Sequence, residues 1–105
     1  MEDFILAMSA CTPTEADTIS QKLVESQLCA CVNIVRGVTS IYRWKGKIQT
    51  DEECLLLMKT RKAHFDALQK KLKSLHSYEV PEFIAVPIAA GSAEYLKWVS
   101  DSVRK

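Results

Sequence analysis

Seven consecutive positions hold most of the chemistry that this sequence offers. His76, Ser77, Tyr78, Glu79, Val80, Pro81 and Glu82 gather an imidazole, a phenol and two carboxylates directly before the strand-like run Phe83, Ile84, Ala85, Val86. A helical pattern stops there and an extended one begins, and sites are commonly built at such edges. An imidazole at the end of a helix caps carbonyls, bonds a neighbouring carboxylate or ligates a metal ion. Pro81 forces Val80 into an extended conformation and so aims Glu82. Cys11 is the other chemically pointed residue, a thiol between a strand pattern and a helix start, where the helix N-terminus lowers a thiol pKa.

The elements that must position these groups follow from hydrophobic spacing. Phe4 to Met8 form a short apolar run that reads as a strand covered on both faces. Thr12, Pro13, Thr14 and Glu15 then place a hydroxyl at a helix cap, proline at the first helical position and glutamate three residues after the cap. Ala16, Ile19, Leu23, Val24 and Leu28 follow with the spacing of one buried helical face. A second helix fits Ala63 to Leu75, with Phe65, Leu68, Leu72 and Leu75 on one face and Lys70, Lys71 and Lys73 toward its C-terminal end, where cations complement the dipole. After the strand Phe83 to Pro87 or Ile88, Gly91 and Ser92 start a last helix with Tyr95, Leu96, Trp98, Val99 and Val103 as its apolar surface.

Between the first two helices lies a long hairpin. Val32, Ile34, Val35, Val38, Ile41, Tyr42 and Trp44 have strand character, and Gly37 marks a bulge. The turn Lys45, Gly46 leads into Lys47 and Ile48, then past the polar Asp51, Glu52, Glu53 cluster, read as a solvated turn, into Cys54 to Thr60. A strand of about thirteen residues spans roughly 43 Å at 3.3 Å per residue, whereas a compact chain of this size has a diameter of roughly 34 Å. The hairpin therefore overhangs its own domain. Ile41, Tyr42 and Trp44 sit on the overhang, where exposure leaves an association-prone apolar ribbon, so another subunit is expected to cover them. Tyr78 and Trp98 read as amphipathic packing at an interface.

The order strand, helix, strand, strand, helix, strand, helix is two split βαβ units followed by an extra C-terminal helix. The expected fold is α+β, a ferredoxin-like sandwich with a long central hairpin, in a single domain over 1–105. A chain of 105 residues buries one modest core. Fourteen lysines and arginines against 13 acidic residues make no electrostatic case for nucleic acid or an anionic membrane surface. No apolar run approaches a membrane span, no basic start precedes a cleavable apolar region, and the chain reads as cytoplasmic. Cys29 and Cys31 are badly placed for mutual bridging, and no Cys-x-x-Cys pair exists. Cys29, Cys31 and Cys54 therefore read as small apolar core residues.

Several separated motifs resemble those of the CutA divalent-cation tolerance family. They are Ala30 to Ile34, Ser40 to Lys47, Lys59 with Thr60, His76 to Glu82, and Tyr95 to Trp98, in order and over almost the whole chain. The resemblance implies a ferredoxin-like subunit, a tight homotrimer built through the long hairpins, and tolerance to copper and other divalent metals. Cys11 matches a family cysteine proposed as a copper ligand, and Glu82 matches a second. The third proposed position, a histidine in some relatives, is Leu75 here, and His76 is the adjacent substitute. A thiolate, an imidazole and a carboxylate suit copper or zinc and leave an open coordination position, so a bound ion would be held weakly and exchange.

Two functions of different class follow. The first is a homotrimer that binds copper or a similar divalent cation weakly at intersubunit clefts through Cys11, Glu82 and His76. The second is a small-molecule sensor or partner-docking trimer comparable to the PII-type signal proteins, with Lys59, Arg61 and Lys62 supplying charge to an anionic ligand, although no glycine-rich phosphate cradle is visible. An enzyme with Cys11 as nucleophile and His76 as base lacks a nucleophile elbow, a metal-hydrolase histidine pair and a cofactor fingerprint, so none is expected.

Overall fold

A computed structural model describes residues 3–105; residues 1 and 2 lie outside the described residues. Four strands and three helices run in the order β1 (Phe4–Cys11), α1 (Ala16–Glu25), β2 (Cys31–Trp44), β3 (Lys47–Arg61), α2 (Phe65–Leu75), β4 (Ile84–Pro87) and α3 (Ala93–Ser102), with a short 3-10 turn at Lys62–His64 leading into α2. The strands form one sheet in the order β2-β3-β1-β4, every adjacent pair antiparallel. Central β1 and β3 with β2 and β4 at the edges is the ferredoxin-like arrangement of two interleaved βαβ units.

Alternation along β1 and β3 divides the sheet into two faces. Ile5, Ala7 and Cys11 on β1 and Cys54, Leu56 and Met58 on β3 are buried. All of these but Ile5 meet Ala16, Ile19 and Leu23 of α1 and Leu68 and Leu72 of α2 in one core, with Val32, Ile34, Phe83 and Ala85 at its margin. A fully buried leucine or isoleucine contributes about 1.5–3 kcal/mol, so this helix-covered face carries most of the stabilisation. Val24, assigned to the same helical face by its spacing, is 38% exposed because it lies at the rim of that face.

The opposite face is also apolar. Cross-strand rows place Met8 between Leu57 and Ile84, Leu6 between Lys59 and Val86, and Leu55 between Ala10 and Val35. Among the described residues only one end of this face is covered, where Val99 of α3 and Val103 just after it are buried with Ala30 and pack against Phe4. Ser92 caps α3 by accepting from the Tyr95 N–H at 3.2 Å. Beyond α3, Val35, Ile84 and Val86 stand exposed and Leu6, Met8, Leu55 and Leu57 half-buried.

The hairpin is as long as the strand-forming residues predict. β1 pairs with β3 only from Cys54 to Arg61, so, among the described residues, positions 47–53 have β2 as their sole strand neighbour. The long axis is 44 Å against 25 and 22 Å across. Lys45 and Gly46 turn the hairpin with φ of 51° and 79°, the left-handed pair that a two-residue turn of matching twist requires. The ladder slips between Val35 and Val38, and Gly37 at φ 74° supplies the bulge. Asp51, Glu52 and Glu53 are not a turn, contrary to the reading of their polarity. They lie inside β3, paired with Ser40, Thr39 and Val38, because β-ladder pairing on the overhang does not require an apolar side chain at each position.

Candidate functional site

The polar segment 76–83 returns from α2 to β4 without a strand or helix of its own, so side chains from other elements fix it. Glu15 is the principal anchor. Its carboxylate accepts from the Thr12 N–H at 3.0 Å and hydroxyl at 2.8 Å, and from the Ser77 N–H at 3.1 Å and hydroxyl at 2.9 Å. Only half of the expected capping box forms: the glutamate reaches back to Thr12, but the Thr12 hydroxyl turns to the same carboxylate and α1 begins at Ala16. Burial by itself raises the Glu15 pKa, yet the four donors outweigh it and hold the group below its ordinary value.

His76 is the second anchor. Its own N–H donates to the Leu72 carbonyl at 3.0 Å and ends α2. The ring Nε2 donates to the Ala10 carbonyl at 2.8 Å, and Nδ1 accepts from the Tyr78 N–H at 3.1 Å. A carbonyl on one side and an N–H on the other require the neutral ring with its proton on Nε2. Both nitrogens are therefore occupied. The Ser9 hydroxyl completes the fastening by donating to the Glu82 carbonyl at 2.6 Å.

Tyr78 then reaches across to the hairpin. Its ring lies 4.7 Å from that of His76, centroid to centroid, and its hydroxyl donates to Glu53 at 2.6 Å. Burial and the Glu53 carboxylate push the Tyr78 phenol well above its ordinary pKa, so it stays a donor. A parallel bond joins Tyr42 to Asp51 two residues along the same strand. Between this segment and the ribbon lies an open groove of about 680 Å³, lined by Ala10, Ser40, Ile41, Tyr42, Trp44, Glu53, Tyr78, Glu79, Val80, Pro81 and Glu82. Every charged group in that lining is a carboxylate.

The groove thus brings Glu82 together with four residues read as interface, Ile41, Tyr42, Trp44 and Tyr78. It does not include Cys11, His76 or Trp98. Trp98 sits on α3, 47% exposed beside Tyr95. Cys11 is fully buried in the core under α1 and α2. Its thiol is raised to about 12 by burial first and then by Glu15, Cys54 and Glu53, against a smaller opposing effect of Arg36. The lowering expected from a helix N-terminus fails because α1 starts five residues later and a carboxylate occupies the turn between. Cys29 and Cys54 are buried as read, while Cys31 is half-buried with its sulfur 3.6 Å from the Tyr95 hydroxyl.

The donor types of Cys11, His76 and Glu82 suit a borderline divalent ion, but one chain does not assemble them. Among the described residues no group of three or more histidine, cysteine, aspartate or glutamate side chains is placed to hold a metal. Two functional contacts escaped the sequence reading. Glu15 was visible as a capping partner, but nothing in the sequence tied it to Ser77. Glu53 looked solvated within an acidic run, and only its pairing opposite Val38 and its bond to Tyr78 make it 4% exposed.

A lowered carboxylate pKa stabilises the fold above the ordinary value near pH 4.5, and that contribution disappears as pH falls through the lower folded-state value. Urea midpoints of the native protein are thus expected to fall on acidification from pH 5 to 3 more steeply than those of Glu15→Gln. Parallel pH profiles would show that the four bonds contribute nothing.

The family described as "CutA1 divalent ion tolerance protein" matches residues 4–102. The "Divalent-cation tolerance protein CutA" of Thermus thermophilus is 49% identical over 97% of this chain and 98% of its own length. The "Protein CutA homolog" of Xenopus laevis is 50% identical over 86% of this chain, which spans only 60% of that longer protein. The crystal structure of CutA1 from Oryza sativa superposes with a TM-score of 0.95 at 40% identity, covering 98% of this chain and 95% of that one. With a family match across nearly all of its length and close relatives in sequence and structure, the chain belongs to the CutA1 divalent ion tolerance family.

Proposed function

We propose that this protein acts in divalent-cation tolerance as a non-enzymatic, cytoplasmic homotrimer that binds copper or a similar ion weakly at clefts between subunits. The observation that carries the reading is the uncovered apolar surface. The sheet face opposite α1 and α2 exposes Val35, Ile84 and Val86, and the ribbon beyond it exposes Ile41, Trp44 and Ile48 at 69%, 39% and 61%. Exposed apolar side chains in such number mark an association site, and β4 leaves one edge unpaired beside Ile84 and Val86. No helix among the described residues is long and apolar enough to cross a membrane, so a bilayer-spanning helix does not account for that surface.

Weak metal binding agrees with the state of the candidate ligands. A cation at Cys11 must displace a proton from a thiol held up to about 12, and one at His76 must replace a ring hydrogen bond. Both costs reduce affinity. Glu82 lines the groove. The PII-like alternative finds support only in the size of that groove, which falls in the range of small-molecule sites. Its carboxylate lining opposes the anionic ligand first considered for Lys59, Arg61 and Lys62.

Sedimentation at micromolar concentration is expected to give a single species of three chains, and a stable folded monomer would overturn the assembly. Zinc, a divalent probe without redox chemistry, tests the ligands. Its affinity for the reduced protein is expected to rise about tenfold per pH unit between pH 7 and 8, as one thiol proton is displaced, and Cys11→Ser is expected to lose that slope. Equal slopes in both proteins would remove Cys11 from the account.

A further inference from the structure

We propose that Cys11 and Cys54 are a redox couple that hydrogen peroxide closes into a cross-strand disulfide between β1 and β3. The two residues are direct register partners at the last paired position of these antiparallel strands. Both side chains project to the helix-covered face and enter the same core, and both are free thiols. Directly opposed residues in an antiparallel pair have Cα atoms about 4.5 or 5.5 Å apart, and both separations lie within the roughly 4.4–6.8 Å that disulfides span. The remaining two cysteines lack this relation: Cys29 precedes β2, and Cys31 opposes Lys59.

The surroundings distinguish the two sulfurs. Cys54 lies opposite the β2 bulge, between the paired positions Val35 with Leu55 and Val38 with Glu53, where the ladder is interrupted. The Arg36 guanidinium in that bulge is 4.0 Å from the Cys54 sulfur and bonds Asp17 at 2.9 and 3.1 Å. That ion pair is exposed, with side chains 55% and 72% accessible, and exposed pairs open at little cost. Cys54 is itself buried, 1% exposed, so a small neutral oxidant reaches it when that pair opens, where a cation stands beside the developing thiolate. Cys11, its register partner on β1, resolves.

The chemistry balances with peroxide as the only co-reactant. The Cys54 thiol gives up its proton as its sulfur attacks one peroxide oxygen, the O–O bond breaks, and the departing hydroxide takes that proton to become water. This leaves a sulfenic acid on Cys54. The Cys11 sulfur attacks the Cys54 sulfur, the S–O bond breaks, and hydroxide leaves with the Cys11 proton as a second water. Two thiols lose two electrons in total, and one peroxide becomes two waters. The link would staple the end of β1 to the base of the hairpin and withdraw the Cys11 thiol from any metal. Pair formation itself stands whether or not Cys11 takes a metal.

Trypsin makes the pairing legible, because Cys11 falls in peptide 1–22, Cys54 in 48–59, and Cys29 with Cys31 in 23–36. The native protein, held with a chelator, is treated with hydrogen peroxide, alkylated in denaturant and digested without reductant. Peptides 1–22 and 48–59 are expected to appear joined, with two of the four thiols lost and both restored by a thiol reductant. In Cys54→Ser, Cys11 is expected to remain alkylatable. Links formed instead through Cys29 or Cys31, or Cys11 and Cys54 that stay alkylatable or oxidise separately to sulfinic acids, would overturn the proposal. The chelator keeps this result independent of the zinc titration.

Discussion

The placement of residues 76–82 depends on a carboxylate that lies some sixty positions earlier in the chain. With no ladder and no helix to satisfy its backbone, the segment takes its partners from Glu15, from the Ala10 carbonyl and from Ser9. Buried or half-buried backbone amides without partners are costly, so these side-chain acceptors decide where the loop runs. Once Ser77 and His76 are fixed, Tyr78 meets Glu53, and the groove against the hairpin acquires its wall. The end of β1, the start of α1 and the end of α2 are thereby tied together at one corner of the sandwich.

The same corner explains why one chain is a poor metal site. His76 serves the fold with both ring nitrogens, and Cys11 serves the core with its whole side chain. The acidic groove and the apolar surface beside it belong to the other side of the sheet, where Glu53, Ser40, Tyr42 and Trp44 share the face of Ala10. Structural demand and ligand chemistry thus compete for the same residues, and the weak binding proposed for this protein follows from that competition.

Much of the architecture was legible because it rests on short-range patterns. The period-two run of β1, the three-and-four spacing of Ile19 and Leu23 and of Leu68 and Leu72, the glycines at 37 and 46 and the Ser92 cap each state a local preference that the fold obeys. The overhang was legible from strand length alone. What the sequence hid are the long-range polar contacts: Glu15 with Ser77, Tyr78 with Glu53, and Arg36 with Asp17. A carboxylate carries no mark of the partner it will meet across the fold, and polarity made Asp51 to Glu53 look like a turn although β-ladder pairing holds them in a strand. The pKa of Cys11 was misjudged for the same reason, since the helix start was visible and the desolvating core around the thiol was not.

Native-state hydrogen exchange of the Ser77 and Tyr78 amides tests the central claim most directly, because neither amide lies in a helix or strand. If Glu15 and the His76 ring hold the segment, both amides are protected in the native protein, and Glu15→Ala, which removes the acceptor, releases Ser77. Exchange of both amides at the rate of an unstructured peptide, in the native protein, would contradict the account.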